Sequence, residues 1–321
     1  MVNSLVLDES LSIPSIIENF SNINNNPYQS IVNCAALYSS YMYAKHLGLP
    51  TYSMPPSIIT LEQSYFDFSE AFIIIISQSG KSLDLIECEK KSRSMEVKTI
   101  IITNNDQSPI INDTNYFFNM FAGEEKSVAA TKIFVQTLLV LIKLIFTCQG
   151  KNEINDDIKL LGETLINDSY NQWSENIVDN TINTGFILGK GVGFAISNEI
   201  SLKFKELCQE MIEPFGSAEV MHGPKSLTQN LFKFFILDMN DKSGLTVQKD
   251  SSEILNYTKL VYNISSNKKL RTDCLYPHNK NSELASVVLM SKFYPWIMRY
   301  TMKMGLSHDQ PRYLTKVTQT F

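Results

Sequence analysis

The sequence predicts an α/β protein with two doubly wound parallel sheets, and three observations support this. Residues 71–76 read AFIIII, an apolar and mostly β-branched run typical of a strand that is buried on both faces of a parallel sheet. Strand-like and helix-like segments alternate along the chain, as in doubly wound folds. At 321 residues, the chain is long enough for two domains of roughly 150 residues each.

The first half is predicted to hold four strands and two helices, and the second half, after a polar connector, three strands and two helices in a similar order. The predicted strands are 30–34, 71–76, 97–103, 115–120, 184–189, 231–237 and 259–264, and the predicted helices are 37–47, 82–92, 160–165, 195–212 and 284–304. Two units of similar size and order indicate a duplicated three-layer α/β/α domain. We place the division so that 1–155 form the first domain and 156–321 the second.

Composition and charge exclude several classes of function. Lys and Arg number 28 against 33 for Asp and Glu, a net charge of −5 that offers no footprint for nucleic acid. The best membrane candidate, Phe134 to Phe146, is too short to span a bilayer and contains Gln136 and Lys143. The N-terminus has no secretory signal pattern, and the five cysteines are scattered singly. We therefore expect a cytoplasmic protein with reduced thiols.

The four histidines stand at no metal-ligand spacing from one another or from a cysteine. We expect no metal site and no cofactor.

A cluster of hydroxyl and amide side chains follows the AFIIII strand directly. Ser77, Gln78, Ser79 and Ser82 surround Gly80 at the predicted carboxyl end of a parallel strand, just before a helix. Backbone N–H groups at a helix N-terminus favour an anion, and short hydroxyl groups can donate to its oxygens. The segment is therefore predicted to bind a phosphate group, although it could also be a simple turn with Ser82 as the helix N-cap.

Glu199, Lys203 and Glu206 lie on one face of a predicted helix, at spacings that bring their side chains together. On spacing alone, a solvated surface stripe is the favoured interpretation. His222 lies in a loop that Gly223 and Pro224 stiffen, where a histidine can move a proton or can simply belong to a turn. Lys316 lies in a C-terminal tail, a region that is often frayed.

Five motifs together resemble the sugar isomerase (SIS) domain pair of glucosamine-6-phosphate synthase and its relatives. They are ISQSGKSLDLI at 76–86, SVAATKIF at 127–134, NEISLKFKELCQEMIE at 198–213, AEVMHGPKSL at 218–227 and DQPRYLTK at 309–316. Their order along the chain is the family's order. The resemblance implies two tandem SIS domains, each a doubly wound parallel sheet.

The resemblance also implies a role for each candidate residue. Ser77, Gln78, Ser79 and Ser82 would hold the phosphate of a sugar, with Val128 and Thr315 also contacting the substrate. Glu206 would move a proton between C1 and C2, and Lys203 would stand beside the C1 oxygen, oriented by Glu199. His222 would assist ring opening, and Lys316 would form a Schiff base under a closing tail. The implied assembly is a homodimer with shared active sites, in which the partner supplies the histidine.

Within the family, SVAATK, MPPSIITL at 54–61 and KVTQT at 316–320 resemble the stand-alone glucosamine-6-phosphate deaminases. No glutaminase precedes the first predicted strand, so release of ammonia is the expected direction. One departure stands out, because Cys34-Ala35-Ala36-Leu37 replaces a Gly-Thr/Ser-Ser stretch that contacts the sugar. Three alternatives therefore stay open: an aminotransferase-like enzyme, a fructosamine-6-phosphate deglycase or ketosamine isomerase, and a sugar-phosphate sensor without catalysis.

Overall fold

A computed structural model describes residues 5–20, 33–62, 67–68, 70–114, 116–168, 172–267, 272–307 and 309. The chain divides into two compact units. The three-strand unit takes the described residues of 16–125 and 132–159, and the five-strand unit takes those of 1–15, 126–131 and 160–314. The predicted residues Thr315 and Lys316 lie outside the described residues.

Helices and strands alternate through both units. The helices are α1 Leu5–Leu11, α2 Ile13–Phe20, α3 Asn33–Leu47, α4 Pro56–Thr60, α5 Leu83–Ser94, α6 Lys132–Cys148, α7 Ile154–Asn167, α8 Val192–Lys203, α9 Ser217–Val220, α10 Lys242–Ile254 and α11 Ala285–Lys303. The strands are β1 Phe72–Ser77, β2 Lys98–Thr103, β3 Tyr116–Asn119, β4 Thr184–Gly189, β5 Met211–Gly216, β6 Lys233–Leu237, β7 Val261–Ser265 and β8 Cys274–Leu275. A π-helix, Phe204–Cys208, follows α8 directly.

The three-strand unit contains a parallel sheet in the order β1-β2-β3. Ser77 pairs with Thr103, so the carboxyl ends of β1 and β2 lie at the same edge of the sheet. Ile75 and Ile101 of these strands pack with Ile59, Cys88 and Ile110 to form a buried cluster. Apolar strands buried in this way explain why the AFIIII run predicts β1 to within one residue.

Helix α6 is the most thoroughly buried helix among those described, with every side chain from Lys132 to Ile145 buried. It contains the segment that the sequence singled out as the best membrane candidate. Among the described residues, no helix is both long and apolar enough to cross a bilayer. A mostly apolar helix whose side chains are buried on all sides is also what the core of a protein requires.

The five-strand unit contains a parallel sheet in the order β5-β4-β6-β7-β8. Phe186 and Leu188 of β4 pack with Phe234 and Ile236 of β6 in the buried core of this unit. Because all described strand pairs in both sheets are parallel, the predicted α/β class with parallel sheets is confirmed. The prediction that the units are two copies of one domain, divided at 155/156, stays a prediction.

Two predicted elements are wrong. The strand at 30–34 fails where it can be checked, because Asn33 and Cys34 begin helix α3, and 30–32 lie outside the described residues. The helix at 195–212 ends early, since α8 stops at Lys203 and Gln209 adopts a left-handed backbone with φ of 56° that ends the π-helix. Strand β5 then begins at Met211, at the edge of its sheet.

Candidate functional site

The predicted phosphate loop follows β1 directly and leads into α5. Ser77 is buried at the end of the strand, whereas Gln78, Ser79 and Ser82 are half-buried. Carboxyl ends of parallel strands are where open α/β sheets bind ligands. The four predicted side chains therefore lie together, at a suitable edge of the three-stranded sheet.

Hydrogen bonds fix the backbone of this loop. The Ser77 hydroxyl accepts from the N–H of Gly80 at 3.2 Å, and Asn105 Nδ2 donates to the carbonyl of Ser79 at 3.2 Å. Gly80 adopts φ of +62°, and a Cβ at that position would lie 2.3 Å from Ser108 Oγ. Only glycine fits such a turn without strain, so the loop is preorganised before any ligand arrives.

Ser82 is the N-cap residue of α5, but its side chain makes no capping hydrogen bond within the described part of the chain. A serine at this position usually accepts from an N–H of the first helical turn. The simple-turn alternative, in which Ser82 is present to cap the helix, therefore loses its main support. Its hydroxyl remains available to donate to an anion at the N-terminus of a twelve-residue helix.

Glu199, Lys203 and Glu206 form a buried ion-pair cluster in the five-strand unit. Lys203 Nζ lies 2.8 Å from Glu206 Oε2 and 3.3 Å from Glu199 Oε1. The side chains of Lys203 and Glu199 are only 3% and 6% exposed, whereas that of Glu206 is 23% exposed. The solvated-stripe interpretation is wrong: the spacing does bring the three groups together, but inside the protein.

Burial and mutual charge control the titration of this cluster. Loss of solvent raises the pKa of Glu199, while Lys203 and a hydrogen bond from Tyr294 oppose that rise. Burial would lower the pKa of Lys203, but the two carboxylates outweigh it and raise that pKa. The two carboxylates therefore favour the charged form of Lys203, which lies beside Glu206, the most exposed member of the trio.

The π-helix presents Glu206 from a rigid base. Its first residue, Phe204, is buried against Phe235 and against Phe293, Trp296 and Tyr300 of α11, with ring centroids 5.1–6.3 Å apart. Aromatic pairs at such distances stabilise their packing beyond the area they bury. Single-turn π-helices are frequent at functional sites, and the apolar pattern of this segment did not distinguish one from an α-helix.

Sequence reasoning missed Tyr294 on α11, whose hydroxyl donates to Glu199 Oε1 at 2.8 Å. It also missed a second buried cluster, in which Lys233 Nζ lies 2.8 Å from Glu210 Oε2 and the Tyr300 hydroxyl donates to Glu210 Oε1 at 2.7 Å. These groups come from distant parts of the chain, so residue spacing carries no signal for them.

His222 lies in the turn after α9 and is exposed. The backbone N–H of His222 donates to the carbonyl of Glu219 at 3.1 Å. The side chain borders an open cavity of about 320 Å³ that Lys225 and Tyr257 also line. The structure thus presents this histidine at the surface of its unit.

Val128 is half-buried between two buried neighbours, Ser127 and Ala129. Glu9 of α1 holds this segment: its carboxylate accepts from the N–H of Lys126 at 2.6 Å and from the hydroxyl of Ser127. Glu9 is itself 7% exposed. The N-terminal helix therefore fixes the segment that carries Val128, a contact that sequence reasoning missed.

The residues that depart from the family pattern lie in the first turns of α3. Ala35 and Ala36 are buried and Leu37 is half-buried. Their side chains provide no hydroxyl group for a sugar.

Among the described residues, no group of three or more His, Cys, Asp or Glu side chains is placed to hold a metal ion.

Comparison with known proteins gives one family match. Residues 35–146 match the SIS domain family, which agrees with the motifs that the sequence displays. Glutamine–fructose-6-phosphate aminotransferase of Sulfolobus acidocaldarius is 24% identical over 301 residues, covering 88% of this chain and 47% of that protein. The chain spans about half the length of the curated relatives it matches.

Solved structures agree in fold. The C-terminal domain of glucosamine-fructose-6-phosphate aminotransferase from Francisella tularensis gives a TM-score of 0.82 at 20% identity, covering 96% of this chain and 98% of that one. Glucosamine-6-phosphate deaminase from Thermotoga maritima gives 0.81 at 18% identity, covering 99% and 100%. At these identities the likeness establishes the fold alone.

Proposed function

We propose, because residues 35–146 match the SIS domain family, that the protein is a phosphosugar isomerase that deaminates its substrate. The substrate is glucosamine 6-phosphate, and the products are fructose 6-phosphate and ammonia. This match supports a phosphosugar enzyme in general. The choice of deamination rests on the motifs shared with the deaminases, whereas the geometry around Glu206 supports the isomerisation step.

One observation carries the proposal: Glu206 is a partly exposed carboxylate held 2.8 Å from a buried lysine. Aldose–ketose interconversion needs a group that removes a proton from C2 and returns it to C1, and a positioned carboxylate does this well. A fixed cation beside it stabilises the negative charge that develops on the C1 oxygen. Glu206 and Lys203 provide that combination.

The proposed reaction balances as follows. The sugar ring opens to the aldehyde, and Glu206 removes the proton from C2. The same carboxylate returns the proton to C1, while the C1 oxygen gains a proton and the C2 amine becomes an imine. Water adds to the imine, and ammonia leaves to give the C2 ketone of fructose 6-phosphate. His222 assists ring opening by proton transfer.

The phosphate group is bound by the loop that follows β1. Ser77, Gln78, Ser79 and Ser82 supply side-chain donors, and the N-terminus of α5 supplies backbone N–H groups. Val128 and Thr315 contact the sugar. Lys316 Nζ condenses with the C2 ketone of fructose 6-phosphate, with loss of one water, to form a Schiff base that hydrolysis returns to the free ketone. The assignments of Thr315 and Lys316 rest on the sequence motif, because both residues lie outside the described part of the chain.

The direct test is to incubate the purified protein with glucosamine 6-phosphate and to measure fructose 6-phosphate and ammonia together. We expect equal amounts of the two products. Glu206→Gln is expected to abolish turnover while thermal stabilisation by the sugar phosphate survives. Glu213→Gln is the matched control, since Glu213 lies seven residues on, 44% exposed and paired with Lys205 at the surface. Wild-type turnover in Glu206→Gln would overturn the assignment.

A second candidate function is a sugar-phosphate sensor that binds without catalysis. The buried Ala35 and Ala36 favour it, because they replace a segment that contacts the sugar in the resembling family. Stabilisation by glucosamine 6-phosphate without any product would support the sensor. Turnover of fructosamine 6-phosphate, or amination of fructose 6-phosphate, would instead support one of the other family reactions.

The exposed position of His222 fits a homodimer in which each chain supplies this histidine to its partner's site. Mixing His222→Ala with Glu206→Gln tests this, because a two-fold dimer with shared sites regains roughly a quarter of wild-type activity after subunit exchange. No recovery, or a monomer by light scattering at micromolar concentration, would contradict the shared site. Cytoplasmic location stays a prediction from cysteine usage.

A further inference from the structure

The Lys203 cluster has an unbalanced charge within the described part of the chain. Lys203 is shared between two carboxylates, Glu206 at 2.8 Å and Glu199 at 3.3 Å. Glu199 is almost fully buried, and a buried carboxylate needs strong donors to remain ionised. Lys203 alone cannot satisfy both partners equally, since the shorter contact goes to Glu206.

The hydroxyl of Tyr294 compensates for this imbalance. It donates to Glu199 Oε1 at 2.8 Å, the same oxygen that faces Lys203. Tyr294 is fully buried on α11, so its hydroxyl is not exposed to bulk solvent. Hydrogen bonds to ionised groups are roughly twice as strong as those between neutral groups.

We propose that Tyr294 is a positioning residue that sets how the charge of Lys203 is divided between Glu199 and Glu206. While Tyr294 stabilises the Glu199 carboxylate, Glu199 retains part of the lysine's attraction, and Glu206 is held less tightly and can accept a proton. Without the hydroxyl, Glu199 is protonated more readily and Lys203 turns wholly to Glu206. The inference rests on the proposed function, because it concerns the rate of proton transfer by Glu206.

Within the described part of the chain, the other charged groups on the elements packed against Glu199 have partners of their own. Strand β4 has no titratable side chain. Glu213 of β5 pairs with Lys205 at 2.8 Å. The remaining charged or phenolic groups of α11 also have partners: Lys292 with Asp168, Arg299 with Glu175, Tyr300 with Glu210, and Lys303 with the carbonyl of Glu175. Lys203, Glu206 and Tyr294 are therefore the groups that act on Glu199, in agreement with the causes of its pKa shift.

Kinetics of two matched variants test the proposal. Tyr294→Phe and Tyr300→Phe each remove one buried hydroxyl that donates to a glutamate, from the same helix. We expect Tyr294→Phe to lower kcat for glucosamine 6-phosphate about tenfold with KM within about twofold, which is the pattern of a lost transition-state interaction. Tyr300→Phe is expected to leave both constants of the folded enzyme unchanged. Equal kcat values in the two variants would overturn the proposal.

Infrared titration separates this inference from the proposed reaction. The carbonyl stretch of a protonated carboxyl group, assigned by its loss in Glu199→Gln, reports the charge of Glu199 without any substrate. We expect its midpoint to move to higher pH in Tyr294→Phe and not in Tyr300→Phe. If the wild type does not turn over glucosamine 6-phosphate, the proposed function fails. This titration still shows whether the Tyr294 hydroxyl stabilises the Glu199 carboxylate. An unmoved midpoint overturns the inference in either case.

Discussion

Two clusters of the five-strand unit have nearly the same chemistry but differ in charge balance and in access to solvent. Lys203 faces two carboxylates, Glu199 and Glu206, and the side chain of Glu206 is 23% exposed. Among the described carboxylates, Lys233 pairs with Glu210 only, and the two side chains are 0% and 1% exposed. Each cluster has a tyrosine from α11, Tyr294 in the first and Tyr300 in the second.

The pKa directions express the same difference. Burial lowers the pKa of Lys233, and Glu210 only partly offsets it. Burial also acts to lower the pKa of Lys203, but two carboxylates reverse the direction and raise it. In the buried Lys233–Glu210 pair, one cation matches one carboxylate. In the Lys203 cluster, one cation faces two carboxylates, and the partly exposed Glu206 is available for chemistry. A buried ion pair is therefore not in itself a sign of catalysis.

Exchanging the carboxylate in each cluster gives the largest expected contrast. Glu206→Gln should lower turnover of glucosamine 6-phosphate by about a thousandfold or more, the loss of a general acid–base group. Glu210→Gln should leave kcat of the folded enzyme unchanged, because Glu210 is fully enclosed, and should lower the urea midpoint instead. Loss of turnover in folded Glu210→Gln would remove the distinction between the clusters.

Exchanging the lysine sharpens the contrast in stability. Lys233→Met leaves Glu210 buried without its cation, which should cost about 3–5 kcal/mol in the free energy of unfolding. Lys203→Met should be destabilising as well, but it should also lower kcat, since the developing charge on the C1 oxygen loses its partner. Urea unfolding and steady-state kinetics on both variants measure this. Equal kcat losses would mean that position near Glu206 is unimportant.

The predicted phosphate loop offers a third comparison, because the side chain of Ser82 makes no capping hydrogen bond in the described structure. Ser82→Ala should therefore leave the melting temperature unchanged. The KM of Ser82→Ala for glucosamine 6-phosphate should rise roughly tenfold, because the variant loses one hydrogen bond to a charged group. Ser94→Ala, at the other end of the same helix, is the matched control. A lower melting temperature with unchanged KM would show that Ser82 serves the fold.

The smallest effect is the pH dependence that Glu199 introduces. Burial raises its pKa above the ordinary 4.5, so the folded state binds a proton that the unfolded state releases. The resulting stability is complete below pH 4.5 and is lost as the pH rises through the raised value. The urea midpoint of Glu199→Gln should therefore increase relative to the wild-type midpoint as the pH rises from 4.5. A constant difference would contradict the shift.

Local patterns predicted most of the fold, because strands such as β1 and β4 are short apolar runs with clear ends. The helix at 195–212 was predicted too long, since apolar residues continue at helical spacing through Leu207 and Cys208 and no glycine marks the turn at Gln209. Strand β5 was missed, as Pro214 within it argues against a strand except at a sheet edge. Helix α10 was not predicted, although its sequence contains a helix start signal. Asp241 is the N-cap residue, and its side chain accepts from two backbone N–H groups.

The candidate site was only partly predictable. The loop at 77–82 and the trio 199, 203 and 206 are each local in sequence, so residue spacing alone predicts that the members of each set lie close together. The burial of that trio and the contact with Tyr294 depend on α11, and Tyr294 lies 95 residues beyond Glu199 along the chain. Spacing carries no information about such a contact, and for that reason the surface interpretation of the trio failed.

The central claim, that Glu206 moves the C2 proton, is tested most directly with glucosamine 6-phosphate deuterated at C2 and followed by NMR. The wild type should remove deuterium from C2 and deliver it to C1 of fructose 6-phosphate or to solvent. Glu206→Gln should bind the labelled sugar and leave the deuterium at C2. Removal of deuterium by that variant at the wild-type rate would contradict the account.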